Sequence, residues 1–347
     1  MMEKKKDIRA LTREELQQFF IKIGDKSFRG NQVYEWLWQK GAHHFDDMTN
    51  ISKQTRELLD ENFVINHIKV DSLQKSEDGT IKNAVKLFDG LVVESVLIPT
   101  AKRTTACVST QVGCSLDCKF CATAQLKNMR NLKPDEIYDQ VKAIDQESRL
   151  YHNRPLSNIV FMGMGEPLMN YNNVIKSIEK ITSEDGLAMS PKRITVSTSG
   201  VPKMIRKLAD DEVKFNLAVS LHSAIQETRE QIMPFATKFT LVDLKESLQY
   251  WYDKTQRRIT YEYVIWEGIN DDRQHIQALV NYCKYVPCKV NLIEYNSIDD
   301  PAFKQAPPRV TNDYIAALEK NKIPVTVRRS RGKDIDAACG QLANKQS

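Results

Sequence analysis

At 347 residues the chain exceeds one average domain, and 41 % hydrophobic with 27 % charged content is that of a globular protein with a large core. A formal charge of +5 permits a nucleic-acid partner without demanding one, whereas no apolar run is long enough to span a membrane and the charged start 1–6 leads into no secretory stretch, which points to the cytoplasm. Seven cysteines, odd in number and clustered, argue against a disulfide framework and for metal or redox chemistry in a reducing compartment.

Residues 1–70 read as a small helical accessory unit. Thr12 and Glu15 form a capping-box pattern ahead of Leu16, Phe19, Phe20 and Ile23 at helical spacing. A second helix should carry Val33, Trp36 and Leu37, and a third Leu58 and Leu59, with Trp36 and Trp38 packing the core. The segment 71–102 reads as a β-hairpin connection, with strands over 81–88 and 91–99 joined at Asp89-Gly90. From 103 to 333 short β-type runs alternate with helical ones. Strands are expected over 104–110, 158–162, 193–197, 214–220, 258–265 and 289–295, and helices over 134–149, 172–181, 242–253 and 272–285. Regular alternation implies an α/β fold with a parallel sheet, and about six units suggest a partial (β/α)6 barrel. The segment 334–347 closes the chain.

The unusual residues fall just after the expected strands. The cysteine loop Cys114–Cys121 follows the first, Gly163-Met164-Gly165-Glu166-Pro167 the second and Ser197-Thr198-Ser199-Gly200 the third. Ser220-Leu221-His222-Ser223 follows the fourth and Asn296 the sixth. Parallel barrels build their active sites at these C-terminal strand ends. Cys114, Cys118 and Cys121 are too few to close a structural zinc site and the right number for three corners of a four-iron cluster with one iron open. Three unrelated buried thiols, or a zinc knuckle with a distant fourth ligand, are the plainer readings of the same loop. The C-x3-C-x2-C spacing, with Phe120 before the last Cys, resembles the cluster motif of radical S-adenosylmethionine (SAM) enzymes, whose open iron is chelated by SAM.

The motifs 107–114, 161–167, 220–222, 291–293 and 334–341 together resemble one branch of these enzymes, the RlmN-type RNA adenine methyltransferases, over residues 91–342. One departure is the stretch Leu126-Lys127-Asn128-Met129, which replaces a glycine-containing loop. The resemblance implies methylation of carbon 2 of an adenosine in 23S rRNA at the peptidyl transferase centre, and of the adenosine 3′ of the anticodon in tRNA. It implies a [4Fe-4S] cluster on Cys114, Cys118 and Cys121, and SAM, two molecules per turnover, on Gly165, Glu166, Ser197, Ser220, Leu221, His222 and Asn296. Cys339 is implied as the methyl carrier, its S–CH2 radical adding to the ring carbon, and Cys107 as the thiol that releases product through a transient disulfide with Cys339. Glu94 is implied as the proton acceptor; a solvent-facing carboxylate in an alternating strand is its plainer reading.

A monomer is expected, with an electron donor such as flavodoxin or ferredoxin. Lys127, Arg130 and Lys133, with Arg328, Arg329, Arg331 and Lys333, are expected to form basic walls that grip phosphates. Cys339 follows that second basic run, which reads as a swinging loop. Cys283 and Cys288 flank a helix-to-strand turn and are expected to be structural. The rival readings are a Cfr-like enzyme that methylates carbon 8 with the same cysteines, and an iron–sulfur electron carrier or RNA-binding protein with Cys107 as fourth cluster ligand.

Overall fold

The computed structural model of the chain describes residues 5–344; residues 1–4 and 345–347, the outer ends of the segments expected over 1–70 and 334–347, lie outside the described residues. Thr12 caps helix α1 (Arg13–Lys22): its hydroxyl accepts the Glu15 amide at 3.1 Å while the Glu15 carboxylate accepts the Thr12 amide at 2.7 Å. Leu16 and Phe20 are fully buried, but Ile23 falls past the last helical turn and is 40 % exposed. Helix α2 (Phe28–Glu35) widens into a five-residue turn, Trp36–Lys40, that ends at Gly41 in the left-handed region. Of the two tryptophans in that turn Trp38 is buried, whereas Trp36 lies at the edge under the Lys40 ammonium. Helix α3 (Lys53–Asn62) is capped by Ser52.

These helices dock on helix α4 (Pro134–His152) through ion pairs of the buried Arg9 with Asp139 at 2.8 Å and Asp135 at 3.2 Å. A Tyr138 hydroxyl bond to the Trp38 carbonyl at 2.7 Å adds to the seam.

One ten-stranded sheet organises the rest: β1 (Lys69–Lys75), β2 (Ile81–Lys86), β3 (Val92–Pro99), β4 (Thr104–Cys107), β5 (Asn158–Phe161), β6 (Ile194–Thr198), β7 (Asn216–Ser220), β8 (Ile259–Val264), β9 (Cys288–Ile293) and β10 (Val325–Arg328). The strands lie side by side in sequence order. Strands β1 to β4 pair antiparallel, and β4 to β10 pair parallel. The six expected barrel strands are all present. Two further strands were not anticipated, for different reasons. Strand β1 is a polar edge strand whose residues are mostly exposed, so it shows no apolar alternation. The seventh parallel strand, β10, has four residues, none of them buried, and merges into the basic run that reads as a loop.

The expected hairpin is therefore the inner two strands of a three-stranded extension continuous with the barrel sheet. Its Asp89-Gly90 turn is as read, with Gly90 at φ +85. Helices α5 (Tyr171–Thr182), α6 (Pro202–Asp210), α7 (Gln226–Ile232), α8 (Leu241–Thr255), α9 (Arg273–Tyr282) and α10 (Pro308–Lys320) fall between or after the parallel strands. Strand β8 is buried at all six positions, as expected for a sheet covered on both faces.

Candidate active site

Each parallel strand delivers its last residue to the same end of the barrel, and the loops that follow line one cavity. Cys114, Cys118 and Cys121 line it with Gly165, Glu166, Ser197, Ser220, His222, Asn296 and Cys339.

The cysteine loop is held from behind. Asp117 accepts the Phe235 amide at 2.9 Å, the Lys119 amide reaches the Ile232 carbonyl at 3.0 Å, and Phe120 packs on Trp266 and Phe303. The departing stretch 126–129 lies directly against Gly113, where a Cβ would stand 2.3 Å from the Lys127 carbonyl oxygen. Gly113, at φ +78, thus permits the close approach.

Burial pushes the Cys114 thiol up to about 12 and raises Cys118 and Cys121 as well. Such thiols do not ionise unaided; a bound cationic centre is what makes them thiolates. Among the described residues no three His, Cys, Asp or Glu side chains converge on a point that one ion could occupy. A cluster, in which each corner iron takes one thiolate, asks instead for thiols around a shared cavity, and this donor set fits it.

Opposite the thiols, the Glu166 carboxylate is buried and accepts the Ser199 amide at 2.7 Å and the Leu168 amide at 3.0 Å, while burial raises its pKa. Gly165 precedes it at φ +93, and a Cβ there would sit 2.5 Å from Gln111 Cβ. Gln111 in turn accepts the Glu166 and Ser115 amides at 2.9 and 3.2 Å, joining this loop to the cysteine loop.

His222 is buried edge-on against Phe120, its ring nitrogen Nδ1 accepting the Val264 amide at 3.2 Å. Burial, with the charge of Arg229, pulls its pKa down to about 3, so the ring is neutral and its proton resides on Nε2. Leu221 lines neither site cavity: its side chain is buried in the core and its carbonyl accepts Arg229. Asn296 donates to the Cys339 carbonyl at 3.3 Å, and its Oδ1 is buried without a partner.

Cys339 also lines a second cavity together with Cys107, Met162 and Arg328. Burial pushes the Cys107 thiol up to about 12. Cys107 is absent from the lining of the cavity that holds the three loop thiols, an arrangement unlike that of a fourth cluster ligand. In the sheet register Cys107 faces Val96, which puts Glu94 two residues along on the same face. Glu94 is 3 % exposed, which removes the solvent-facing reading. It lines neither cavity: its carboxylate pairs with Lys82 at 3.4 Å and accepts the amides of Ala343 and Asn344 at 2.8 and 3.2 Å.

The basic walls need correction. Arg328 ends β10 and turns inward, donating to Met162 Sδ at 3.3 Å and lying 3.8 Å from the buried Glu262; the charge of Cys339, then that of Glu262, raises its pKa. Arg130 is paired with Asp89 at 2.6 Å and Glu136 at 2.8 Å, Lys333 with Glu294 at 2.9 Å, and Lys133 lies over the Phe88 ring. Most of these charges are therefore engaged within the protein.

Sequence reasoning missed Arg229, Asn270 and Gln111. Arg229, fully buried, ties Ser199, Ser220 and Leu221 through their carbonyls, and Asn270 ties the His222 and Val264 carbonyls and the Trp266 amide. A lone Arg in a short helix carries no signal of burial, but Gln111 lies within the 107–114 motif and was legible there.

Residues 6–65 match the family model of the ribosomal RNA large subunit methyltransferase N-terminal domain, and residues 108–280 that of the radical SAM superfamily. A relative from Christiangramia forsetii that carries the name dual-specificity RNA methyltransferase RlmN is 74 % identical over 345 residues, covering 99 % of this chain and 98 % of its own. One of the same name from Oleidesulfovibrio alaskensis is 45 % identical over 344 residues, covering 97 and 95 %. Among solved structures, a radical SAM methyltransferase from Sphaerobacter thermophilus matches with a TM-score of 0.91 at 35 % identity, over 98 % of this chain and all of the other.

Proposed function

Because the chain belongs to the RlmN family of radical SAM RNA methyltransferases, we propose that it methylates carbon 2 of an adenosine in 23S rRNA and of the adenosine 3′ of the anticodon in tRNA. Cys114, Cys118 and Cys121 would hold the [4Fe-4S] cluster, and Gly165, Glu166, Ser197, Ser220, the Leu221 backbone, His222 and Asn296 would hold SAM. Together these groups supply reductive cleavage of SAM, and so a carbon-centred radical, which an electron-poor ring carbon requires.

The remaining chemistry belongs to the chain. Cys339 accepts a methyl group as a thioether, loses one hydrogen atom from it, and the resulting S–CH2 radical bonds to the ring carbon. The ring radical formed by this addition would give one electron back to the redox centre that the three loop thiols would hold; after a ring proton is removed, for which Glu94 is the proposed acceptor, the Cys107 thiolate attacks the Cys339 sulfur. The S–CH2 bond breaks with its electron pair left on the carbon, which takes up a proton to complete the methyl group, the methylated base leaves, and the two sulfurs are joined as a disulfide that an external thiol reduces. For Glu94 to serve, its carboxylate must first be released by the chain end that occupies it.

Cys107 is buried, and desolvation outweighs the charge of Arg328 beside it, so its thiolate forms only when a partner or a movement relieves the desolvation. The base has to leave its stack to reach this depth, and the accessory helices are proposed to help hold the splayed RNA. Two SAM molecules per turnover, a flavodoxin or ferredoxin donor, a monomeric enzyme and a cytoplasmic setting complete the proposal.

The observation that carries this reading is the position of Cys339, which lines both the cavity of the loop thiols and that of Cys107. Mass spectrometry of adenosines from RNA treated with the reconstituted enzyme tests it. The expected product is 2-methyladenosine; 8-methyladenosine would move the enzyme to the Cfr-like reading and leave the radical mechanism standing.

A further inference from the structure

Beyond β10 little regular structure fixes Cys339. The segment from 329 to 344 holds one short helical turn, Lys333–Ile335, flanked by left-handed residues Gly332 and Asp336 at φ +65 and +51. Its position is set by what grips it.

On the barrel side the Gly340 carbonyl accepts the Ala122 amide at 2.8 Å and the Leu342 carbonyl accepts the Thr123 hydroxyl at 2.6 Å. On the opposite side stands the turn between β1 and β2. Asp334 accepts the Ser76 hydroxyl at 2.6 Å and the Glu77 amide at 3.2 Å, using both carboxylate oxygens. Reciprocally, Asp78 of the turn accepts the Gly332 amide at 3.1 Å, and its carbonyl accepts Arg331 at 3.1 Å. The contact is also close-packed: a Cβ on Gly332 would stand 2.8 Å from both Thr80 Cγ2 and Ala337 Cβ, and Thr80 is fully buried.

We propose that this turn, residues 76–80, is a clasp in which Asp78 and Asp334 hold the carrier segment so that Cys339 stays between its two cavities, which makes Asp334 and Ser76 positioning residues for methyl transfer. The clasp rests on the reading of Cys339 as the methyl carrier. It gives the antiparallel extension a role apart from RNA contact, because the extension spans from the barrel sheet to the carrier segment.

The test uses the full, cluster-loaded chain and N-ethylmaleimide, with the modified cysteine identified by peptide mass spectrometry. Asp334→Ala removes two hydrogen bonds to a carboxylate and should speed labelling of Cys339 about tenfold or more. Ser76→Ala removes one of them and should give a smaller increase. Glu77→Ala, which keeps the amide, should behave as the parent, and Cys283 and Cys288 in the core should stay unlabelled in all three. In Asp334→Ala and Ser76→Ala the cluster's paramagnetic resonance with SAM should be unchanged, while the yield of methylated RNA per SAM cleaved falls several-fold; in Glu77→Ala neither should change. Labelling of Cys339 at the parent rate in both Asp334→Ala and Ser76→Ala overturns the clasp, and faster labelling with unchanged coupling overturns its positioning role. If Asp334→Ala exposes the core cysteines, Ser76→Ala decides by the same two results. A parent enzyme that methylated no RNA would sink the proposed function, yet the labelling would still report on the clasp.

Discussion

Replacing Arg229 by Met probes how far the loops proposed to hold SAM depend on one buried cation. The guanidinium is fully buried and donates to the carbonyls of Ser199 at 2.5 Å and Ser220 at 3.2 Å, to that of Leu221, and to Met233 Sδ at 3.2 Å. Burial, outweighing the attraction of neighbouring groups, draws its pKa from 12.5 down to about 10, so holding the charge there costs a net of about 3 kcal/mol that Met recovers. Against this, three carbonyls lose a buried partner, at about 1–3 kcal/mol each. The carbonyls outweigh the relief, and the net loss is about 3 kcal/mol at the centre of these ranges. Thermal unfolding of the cluster-free chain should show a midpoint several degrees lower. SAM titrated calorimetrically into the reconstituted enzyme should bind more weakly, because Ser199 and Ser220 lose their common anchor. Arg229→Lys keeps the desolvation cost and reaches fewer carbonyls, so it should be no better than Met. A Met variant as stable as the parent, or full rescue by Lys, would refute the argument.

Anaerobic reconstitution should load about four irons per chain, and Cys118→Ala should lose both the cluster and SAM cleavage; an iron content unchanged by that substitution contradicts the ligand assignment. Gly165→Ala drives a methyl group to 2.5 Å from Gln111 Cβ at a positive φ, straining the loop by about 1–3 kcal/mol. It should keep the iron but bind SAM poorly by calorimetry, and normal SAM affinity would show that the close approach is not needed.

Much of the site was legible because its residues stand at strand ends, where the change from β-type run to polar or glycine-rich loop is visible in the sequence. The six barrel strands, the cysteine loop and the loop of Gly165 and Glu166 were found that way. What stayed hidden depends on partners distant in sequence. Asp334 and Ser76 are 258 residues apart, and no local pattern announces their bond. Arg328 and Arg130 read as parts of phosphate-gripping walls because charge alone does not tell which arginine will turn inward or find a carboxylate. Glu94 was placed on the right strand, but its occupation by Lys82 and the chain end follows from tertiary packing.

The account stands or falls on the separate roles of Cys339 and Cys107. The most direct measurement is denaturing electrophoresis of reconstituted variants incubated with labelled RNA and SAM. Cys107→Ala should still methylate Cys339 and bond to the ring carbon, then stall, giving a covalent protein–RNA band that is absent with Cys339→Ala and with the double variant. Full turnover by Cys107→Ala, or a band that survives loss of Cys339, would contradict the assignment.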